Sequence, residues 1–419
     1  ELMNLKLSWY INRLKLMSFK EIFFFRIPQQ IQYKFFGKIQ KYTVFNSKGI
    51  NINPKFEVNK YSELTVNNLI SGNENVNKYE FFQSKIDLSE NINWLKDYKN
   101  NITSSEKYYA NIKRQNYSEF GDVKYVCEPS RFYFLPFLAL YNYYSKGEEQ
   151  VILIERILND WINQNPYLRT IHWTSGIEIG IRSINLIYTH IVLSQQEKLT
   201  KSIDDAIRIL IQYNYQFLKN HLSMYSSANN HLVAELAGLV VITSYFDSNI
   251  YNASRNKWQN MLFNEIENQV NEDGVNMELS THYHAEVTDH FFNALQFIKN
   301  SGDTIPSKIE SKFKKMFNFL SHVEYNGNKT VFGDNDEGYL LFPYFSKKFS
   351  IYRSLLQSSN LEYNSGFNSN NYLDLRNYLI YGEKNNEIKS IENPNSDEVF
   401  KSSGYAFLYN NCTKLSIDF

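Results

Sequence analysis

A long stretch of helical periodicity, from about residue 129 to residue 323, constrains the fold of this chain more than any other feature. Apolar side chains recur three or four positions apart, as at Ile154, Ile157, Leu158 and Trp161, and this spacing places them on one face of a helix. The pattern predicts helices over residues 129–145, 148–163, 175–195, 201–220, 228–246, 252–270, 278–299 and 307–323. Short connections such as "NQNPY" and "NSGDTIP" make consecutive helices antiparallel neighbours. We therefore expect a helical array or a closed toroid, with helix starts facing a common cleft.

The two flanks of this stretch have different patterns. Residues 3–36 suggest one or two helices, with Ser18 and Glu21 as a capping box and Pro28 as a break. Their aromatic and basic residues are interleaved without one wide apolar face, so we expect this segment to pack on the helical domain rather than on lipid. After residue 324 the helical pattern fades, and 366–398 is Asn-rich and linker-like. Then "FKSSGYAFLYNN" and "TKLSIDF" alternate as a β-hairpin does, and because a lone hairpin is marginally stable, we expect further β structure to follow.

Composition excludes several classes of function. The 44 basic and 44 acidic residues balance, and no basic stripe marks a nucleic-acid-binding face, so an acidic ligand would have to be bound by local charges in a cleft. Two cysteines, Cys127 and Cys412, are too few for a disulfide framework or a zinc cluster. No apolar run approaches the roughly 18 residues of a membrane span, and no signal peptide is visible. A cytoplasmic location and a peripheral one at the cell envelope both stay open, as does the oligomeric state.

The triplet Asn229-Asn230-His231 opens a helical run that is otherwise apolar. One side chain, Ser227 or Asn229, suffices to cap the helix, so the remaining polar groups need another reason. On a helix, His231 and Glu235 are four residues apart and can hydrogen-bond on one face. A capped helix with a buried structural histidine remains the alternative interpretation.

A second cluster of polar residues lies in "DGVNMELSTHYHAEVTDHF", residues 273–291, around one helix start. Its titratable side chains are Glu278, His282, Tyr283, His284, Glu286, Asp289 and His290. Cations near Tyr283 would lower its pKa and make it a general base for a carbon acid. His282 and His284 point apart on a helix, so a metal site would require an extended turn.

Three weaker clusters complete the set of candidates. Glu128 and Arg131 flank a proline in "GDVKYVCEPSRF", and Trp173 precedes an i, i+4 pair of Glu178 and Arg182 in "IHWTSGIEIGIRSIN". Buried Glu–Arg pairs are more often structural than catalytic. The acidic turn "FGDNDEGY" has side chains suited to calcium but lacks EF-hand spacing, so we favour a polar turn; its acidic residues are Asp334, Asp336 and Glu337.

Together these motifs resemble the heparinase II/III-like and alginate lyase-like polysaccharide lyases. The motifs "DVKYVCEPSRF", "WTSGIEIGIRSIN", "NNHLVAELAGL", "DGVNMELSTHYH" and "GDNDEGY" occur in the order that is seen in that family. The resemblance runs from about residue 90 to the C-terminus, and "YINRLKLMSFKEIFFFR" is similar to members encoded in bacterial surface-polysaccharide loci. It implies a mainly α fold, an (α/α) toroid followed by the start of an antiparallel β-sandwich. The implied domains are 1–85, a helical and irregular segment packed on the toroid; 86–325, the toroid; 326–395, connecting loops and linker; and 396–419, the first sandwich hairpin.

The resemblance also implies a chemistry, β-elimination on an acidic, uronic-acid-containing polysaccharide. The family's Asn-His pair matches Asn230 and His231, which would neutralise the uronate carboxylate as an oxyanion hole does. Its Tyr-His motif matches Tyr283 and His284, and Tyr283 would transfer the proton. We expect Asn229, His284, Glu235, Arg131, Trp173 and Arg182 to contact substrate.

This chain departs from the family at two points. Cys127 stands where the family usually has Trp, and a family histidine of the sandwich has no counterpart in these 419 residues, so we expect the chain alone to be a poor catalyst. We expect no cofactor, although a structural divalent metal in the sandwich stays open. Two other functions remain, a glycoside hydrolase that uses two carboxylates among Glu235, Glu278 and Asp289, and a non-catalytic glycan-binding protein.

Overall fold

A computed structural model describes residues 12, 15, 17–31, 49–70, 76–325, 328–335, 338–346, 349–367, 373–385, 396–410 and 414–418. The α-helices of this part are α1 (Glu63–Ile70), α2 (Tyr117–Phe120), α3 (Val123–Cys127), α4 (Phe134–Ser145), α5 (Glu149–Gln164), α6 (Gly176–Gln195), α7 (Lys201–Asn220), α8 (Asn230–Tyr245), α9 (Asn249–Gln269), α10 (Thr281–Asn300), α11 (Ser307–Val323), α12 (Ile351–Tyr363) and α13 (Leu375–Tyr381). The strands are β1 (Asn51–Ile52), β2 (Lys78–Phe81), β3 (Ser84–Asp87), β4 (Lys96–Asp97), β5 (Ile102–Thr103), β6 (Phe246–Asp247), β7 (Glu324–Tyr325), β8 (Asn328–Lys329), β9 (Glu398–Phe400), β10 (Tyr405–Tyr409) and β11 (Lys414–Asp418).

The long helices form two layers, which is the arrangement of an (α/α) toroid. Each inner helix packs on the next inner one, in the order α4, α6, α8, α10 and α12, and each of the first four also packs on the outer helix that follows it. Inner helices α6, α8 and α10 are buried along almost their whole length, whereas outer helices α5, α7 and α11 alternate buried and exposed positions. The predicted toroid fold is confirmed.

The helix bounds agree with the predicted periodicity to within a few residues, apart from the first helix. The range predicted as one helix, 129–145, is split into a 3-10 turn over Glu128–Arg131 and helix α4. Pro129 is the second residue of the turn, and Phe132 ends it with a left-handed φ of 62°. A left-handed residue cannot continue an α-helix, so the break comes from the local backbone.

Two helices lie inside 326–395, the range that we predicted as connecting loops and linker. Helix α12 packs on α10 and α11, and α13 packs on α12. The buried side chain of Arg376 in α13 forms an ion pair with Asp289 of α10. These helices belong to the packed structure, and the linker interpretation is wrong for them.

The C-terminal strands form a three-stranded antiparallel sheet in the order β11-β10-β9. Tyr405 in β10 pairs with Asp418 in β11, and Tyr409 pairs with Lys414, as a hairpin requires. Phe319 of α11 contacts the rings of Phe400 and Phe407, so the sheet is seated on the helical layer. The predicted hairpin is present, with β9 as a third strand.

The described part of residues 1–85 also contacts the helices. β1 pairs with β6 at the end of α8, and the Asn53 side chain donates to the Ser244 carbonyl (2.9 Å). Helix α1 packs on α4. No helix in the described ranges is both long and apolar enough to cross a membrane.

Candidate functional site

The start of helix α8 presents the Asn-Asn-His triplet. Asn229 is the cap, because its Oδ1 accepts from the His231 backbone N–H (3.1 Å). Capping by Asn229 leaves Asn230 and His231 in the first turn, where the positive end of the helix dipole lies. His231 is half-buried, whereas Asn230 is only 4% exposed.

A cleft of about 910 Å³ opens beside this helix start. Its walls come from four separate stretches of chain: the N-terminal segment, the loop 108–114, residues 169–176 up to the start of α6, and residues 217–235 across the end of α7 and the start of α8. His231 and Glu235 line it, and Ser175 and Gly176 face them from α6. The starts of α6 and α8 therefore border the cleft, whereas the start of α10 is not among its described lining.

The charged residues that line the cleft are mainly cationic. They are the cations Arg26, Arg114 and Arg169. His221, His231 and Glu235 also line the cleft, and burial lowers the pKa of His221 to about 4, so that its ring is neutral. Arg169 pairs with Glu106 (2.8 Å), and Arg26 pairs with Glu21 (3.0 Å). Arg114 is half-buried and has no ion pair with any side chain in the described ranges. Such a lining favours a negatively charged ligand.

Among the described residues that line the cleft, Glu235 is the one with a carboxyl group. It lies deep in the cleft, and 1% of the residue is exposed. Burial raises its pKa to about 8, against the opposing effect of hydrogen bonds from the Ser223 backbone N–H (2.7 Å) and hydroxyl (2.8 Å). The Glu235 carboxyl is thus held by hydrogen bonds from Ser223 and not by the hydrogen bond to His231 that we predicted. Glu235 is thus protonated at neutral pH and adds no negative charge to the cleft.

Asn230 is linked to the helix that carries Tyr283. The Asn230 backbone N–H donates to Glu278 Oε1 (2.8 Å), and its side-chain Nδ2 lies 3.4 Å from Glu278 Oε2. Glu278 lies three residues before the start of α10, which Ser280 caps by accepting from the Tyr283 backbone N–H (3.3 Å). Tyr283 is half-buried in the first turn of α10. Neither Asn230 nor Tyr283 is among the described residues that line the cleft of His231.

His284 does not face the cleft, contrary to our expectation of a substrate contact. It is fully buried, with Nδ1 accepting from the Asn276 backbone N–H (3.1 Å) and Nε2 donating to the Met316 carbonyl (3.0 Å). Burial lowers its pKa to about 4. Both ring nitrogens are used by the backbone, so His284 holds the loop before α10 in place.

Arg131 is also a buried structural residue in this arrangement. Its guanidinium forms a bidentate pair with Glu178 (2.5 and 3.0 Å) and contacts Glu128 (3.2 Å). Burial alone would raise the pKa of Glu178, but Arg131, with smaller contributions from Arg114 and His231, lowers it. Glu178 therefore stays ionised behind the cleft.

Trp173 and Arg182 are buried away from the cleft. The Arg182 guanidinium lies over the rings of Trp161 (4.6 Å) and Trp173 (5.0 Å) and donates to Asn214 (3.1 Å). The predicted i, i+4 pair of Glu178 and Arg182 is therefore replaced by pairs with Arg131 and Asn214. Burial lowers the pKa of Arg182 to about 9. Neither residue is placed to contact a ligand in the cleft.

The structure gives no metal centre at the histidine cluster. His282 and His284 lie in the regular helix α10, and no group of three or more His, Cys, Asp or Glu side chains among the described residues could hold a metal ion. Asp336 and Glu337 of the acidic turn, and Cys412, lie outside the described residues. Cys127 is buried and unbonded to another cysteine.

Several cleft residues were missed by sequence reasoning. Tyr109 contacts His221 Nε2 through its hydroxyl (2.7 Å), while His221 Nδ1 donates to the Phe217 carbonyl (2.7 Å). Arg114 and Tyr109 lie in a loop without periodicity, and Arg26 lies in a segment that we predicted only to pack on the domain. Their basic and aromatic character was the one available signal.

Comparisons with known proteins give a family model and several solved structures. The family model described as "Heparinase II/III N-terminus" matches residues 29–370. The fold is similar to a crystal structure of heparinase III, at a TM-score of 0.51 and 16% identity, over 90% of this chain and 55% of that one. A heparan sulfate lyase HepC mutant from Pedobacter heparinus aligns at a TM-score of 0.46 and 13% identity, over 91% of this chain and 54% of that one. The chain thus spans about half the length of these structures. No curated protein sequence matches it.

Proposed function

We propose that this chain, which belongs to the heparinase II/III family, carries the helical domain of a polysaccharide lyase that cleaves a uronic-acid-containing bacterial surface or environmental polysaccharide by β-elimination. The observation that carries the proposal is the cleft at the starts of α6 and α8. Arginines line it, His231 opens into it, and Glu235 is kept neutral by burial. Such a cleft attracts a polyanion and does not repel its carboxylates.

The carboxylate of the substrate must be neutralised before the neighbouring carbon can lose a proton. The C5–H of a uronate is too weakly acidic for a side chain to remove until charge can spread onto the carboxylate as an enediolate. His231 and the side-chain amide of Asn230 are the proposed donors, at the positive end of α8. In the structure the Asn230 Nδ2 lies 3.4 Å from Glu278 Oε2. To act as a donor, this amide has to give up the contact with Glu278 and bond to the substrate carboxylate instead.

Tyr283 is the proposed proton-transfer group, taking the C5 proton or giving one to the leaving glycosidic oxygen. Its helix start is joined to that of α8 through Glu278. A substrate strand that runs from the cleft past Asn230 would reach both helix starts.

A glycoside hydrolase on the same toroid is the less favoured alternative. Such an enzyme needs two carboxyl groups on opposite sides of the scissile bond. Asp289 is 1% exposed and paired with Arg376, and Glu278 is bonded to Asn230. Of the three carboxyl groups that we considered for a hydrolase, only Glu235 lines the cleft, so neither Glu278 nor Asp289 is placed there as its partner.

The deciding experiment is to identify the chemistry of the product. A protein that carries this chain together with a complete β-sandwich is incubated with uronic-acid polysaccharides. Elimination gives an unsaturated uronide that absorbs near ~230 nm, and its products are lighter by one water than hydrolysis products. Products with added water would favour the hydrolase, whereas binding without any cleavage would favour a glycan-binding protein.

A further inference from the structure

The N-terminal segment, residues 17–31, lies on the turn that leads into helix α8. The Phe25 ring packs edge-on against Tyr225 (5.2 Å between centroids). One residue further on, Arg26 Nη2 donates to Ser227 Oγ (3.0 Å). Ser227 precedes the helix cap Asn229 by two positions, so the segment contacts the chain directly beside the proposed catalytic residues.

The orientation of Arg26 is fixed by a buried partner. Glu21 is 3% exposed, and its Oε1 accepts from Arg26 Nε (3.2 Å) and Nη2 (3.0 Å). Ser18 Oγ accepts from the Glu21 backbone N–H (3.1 Å), which fixes the start of this turn. Residues Glu21–Arg26 form a π-helical turn, in which residues five apart stack along the axis, and such turns are frequent at functional sites.

The same segment supplies part of the cleft wall. Arg26, Gln29 and Gln30 line the cleft together with Arg114 and His231. The guanidinium fork suits carboxylate or sulfate groups, and side-chain amides suit sugar hydroxyls. Arg26 also lies before residue 29, where the match to the family model begins. Arg26 is therefore outside the matched region, whereas Gln29 and Gln30 lie at its start.

We propose that Arg26, with Gln29 and Gln30, forms an additional subsite that binds an anionic sugar unit next to the one held by His231. The proposal rests on the function proposed above. Glu21 and Ser227 position the guanidinium, and the anionic group is a carboxylate or a sulfate. The N-terminal segment thereby contributes to the choice of polymer as well as to packing.

The test compares the affinity of the 419-residue chain for two polymers, polygalacturonate, which carries only carboxylates, and heparan sulfate, which also carries sulfates. Affinity electrophoresis gives the dissociation constants of wild type, Arg26→Ala and Arg26→Lys. We expect Arg26→Ala to weaken binding by roughly tenfold or more, the scale of a hydrogen bond to a charged group. Arg26→Lys should lie between the two, because it keeps the charge and loses the fork. The polymer that shows the larger loss identifies the anionic group.

Two controls separate the subsite from general charge and from folding. Lys20 is exposed on the same segment and does not line the cleft, so Lys20→Ala removes an equal charge and should bind as wild type does. Arg26→Ala leaves the buried Glu21 unpaired, so the double variant Glu21→Gln/Arg26→Gln, whose net charge equals that of wild type, should show the same loss of affinity.

Two outcomes would overturn the subsite, and they differ in what else they affect. If wild type binds a polymer and the Arg26 variants bind it equally well, the subsite is refuted and the proposed lyase is untouched. If wild type binds neither polymer, the proposed function fails together with the subsite.

Discussion

Asn230 and Tyr283 occupy the first turns of two inner helices, and the bonds that hold their backbones do not involve their functional groups. The Asn230 N–H bonds to Glu278, and the Tyr283 N–H bonds to Ser280. Replacing either side chain should therefore leave the helix starts intact. Changes of activity at these two positions can be interpreted as changes of chemistry.

On this basis Tyr283→Phe, which removes one hydroxyl, should lower kcat by at least ~10² with substrate binding nearly unchanged, because proton transfer acts in the transition state. Asn230→Ala should lower kcat by roughly 10²–10³ if its amide stabilises the enediolate. Both are measured by steady-state kinetics on the protein that includes a complete sandwich. An unchanged kcat for Tyr283→Phe would remove this residue from the mechanism.

Glu235 gives the cleft a pH dependence. Its pKa is raised to about 8, so it is neutral below that pH and becomes an anion among arginines above it. Affinity of the 419-residue chain for polygalacturonate should therefore fall as the pH rises through about 8. Glu235→Gln keeps a neutral side chain of the same shape, and its affinity should stay level over this range. A parallel fall in both proteins would assign the effect to another group.

The raised pKa of Glu235 also affects stability. The folded state holds a proton that the unfolded state loses above the ordinary glutamate pKa, so the unfolded state binds fewer protons between that value and about 8. The contribution of Glu235 to stability is therefore fully present at low pH and is lost as the pH rises through this interval. Denaturant unfolding of wild type and Glu235→Gln at several pH values measures the difference.

At the scale of elements, helices α6 and α8 cross at glycines. A Cβ on Gly180 would overlap the carbonyl oxygen of Ala234, and a Cβ on Gly238 would lie 2.8 Å from Gly180 Cα. The backbones are thus too close for any side chain at the crossing. This close approach places the starts of both helices beside the same cleft.

We therefore expect Gly180→Ala to destabilise the protein by about 1–3 kcal/mol, the usual cost of overpacking a core, and to displace the start of α8 from the cleft. Gly147→Ala is the control, because the atom nearest to its Cβ, the Glu149 backbone nitrogen, would be 3.8 Å away. Denaturant unfolding gives both free energies. Equal stability of the two variants would show that the crossing can widen without cost.

The helices that could be predicted from the sequence are those with apolar periodicity, and α12 shows why others could not. Its inward face carries Ser354, Gln357 and Ser358, all buried. Ser358 donates to Asn377 of α13, and Arg376 of α13 donates to Ser358 (2.9 Å). Ile351, Tyr352, Leu355 and Leu356 are buried as well, so the apolar face of α12 is short and is interrupted by polar side chains that satisfy one another across two helices.

The candidate site likewise contains some residues whose placement could be predicted from the sequence and others whose placement could not. The cap at Asn229 follows from local helix chemistry and could be predicted. The placement of His284 and Arg182 could not, because their burial depends on helices distant in sequence. Arg26 and Arg114 are far from His231 in sequence, so only the folded chain brings them to the same cleft.

At the scale of the whole molecule, one continuous hydrophobic core extends from Ile50 to Phe407. Phe319 joins its helical and C-terminal parts, because its ring contacts His284 of α10 (4.8 Å between centroids) as well as Phe400 of β9 (5.1 Å). The sheet and the toroid should consequently unfold together.

Phe319→Ala should therefore lower the temperature of a single unfolding transition, with a loss of about 3–5 kcal/mol for a large buried ring. Phe24→Ala, the same truncation at a ring that is 74% exposed, should leave the transition unchanged. Differential scanning calorimetry distinguishes the possibilities. A new, smaller transition at lower temperature in Phe319→Ala would mean that the sheet melts independently.

The division of the cleft between helix starts and connecting stretches has a consequence for how such a protein can diversify. His231 sits on a helix that is buried along nearly its whole length, whereas Arg26 and Arg114 sit on a terminal segment and a loop. Surface connections accept insertions and replacements far more readily than packed helices do. A lineage could thus exchange the walls, and with them the proposed glycan selectivity, while inheriting the proposed catalytic helix starts unchanged. The same modularity makes residues 17–31 and 108–114 the natural places to graft new glycan selectivity by protein engineering.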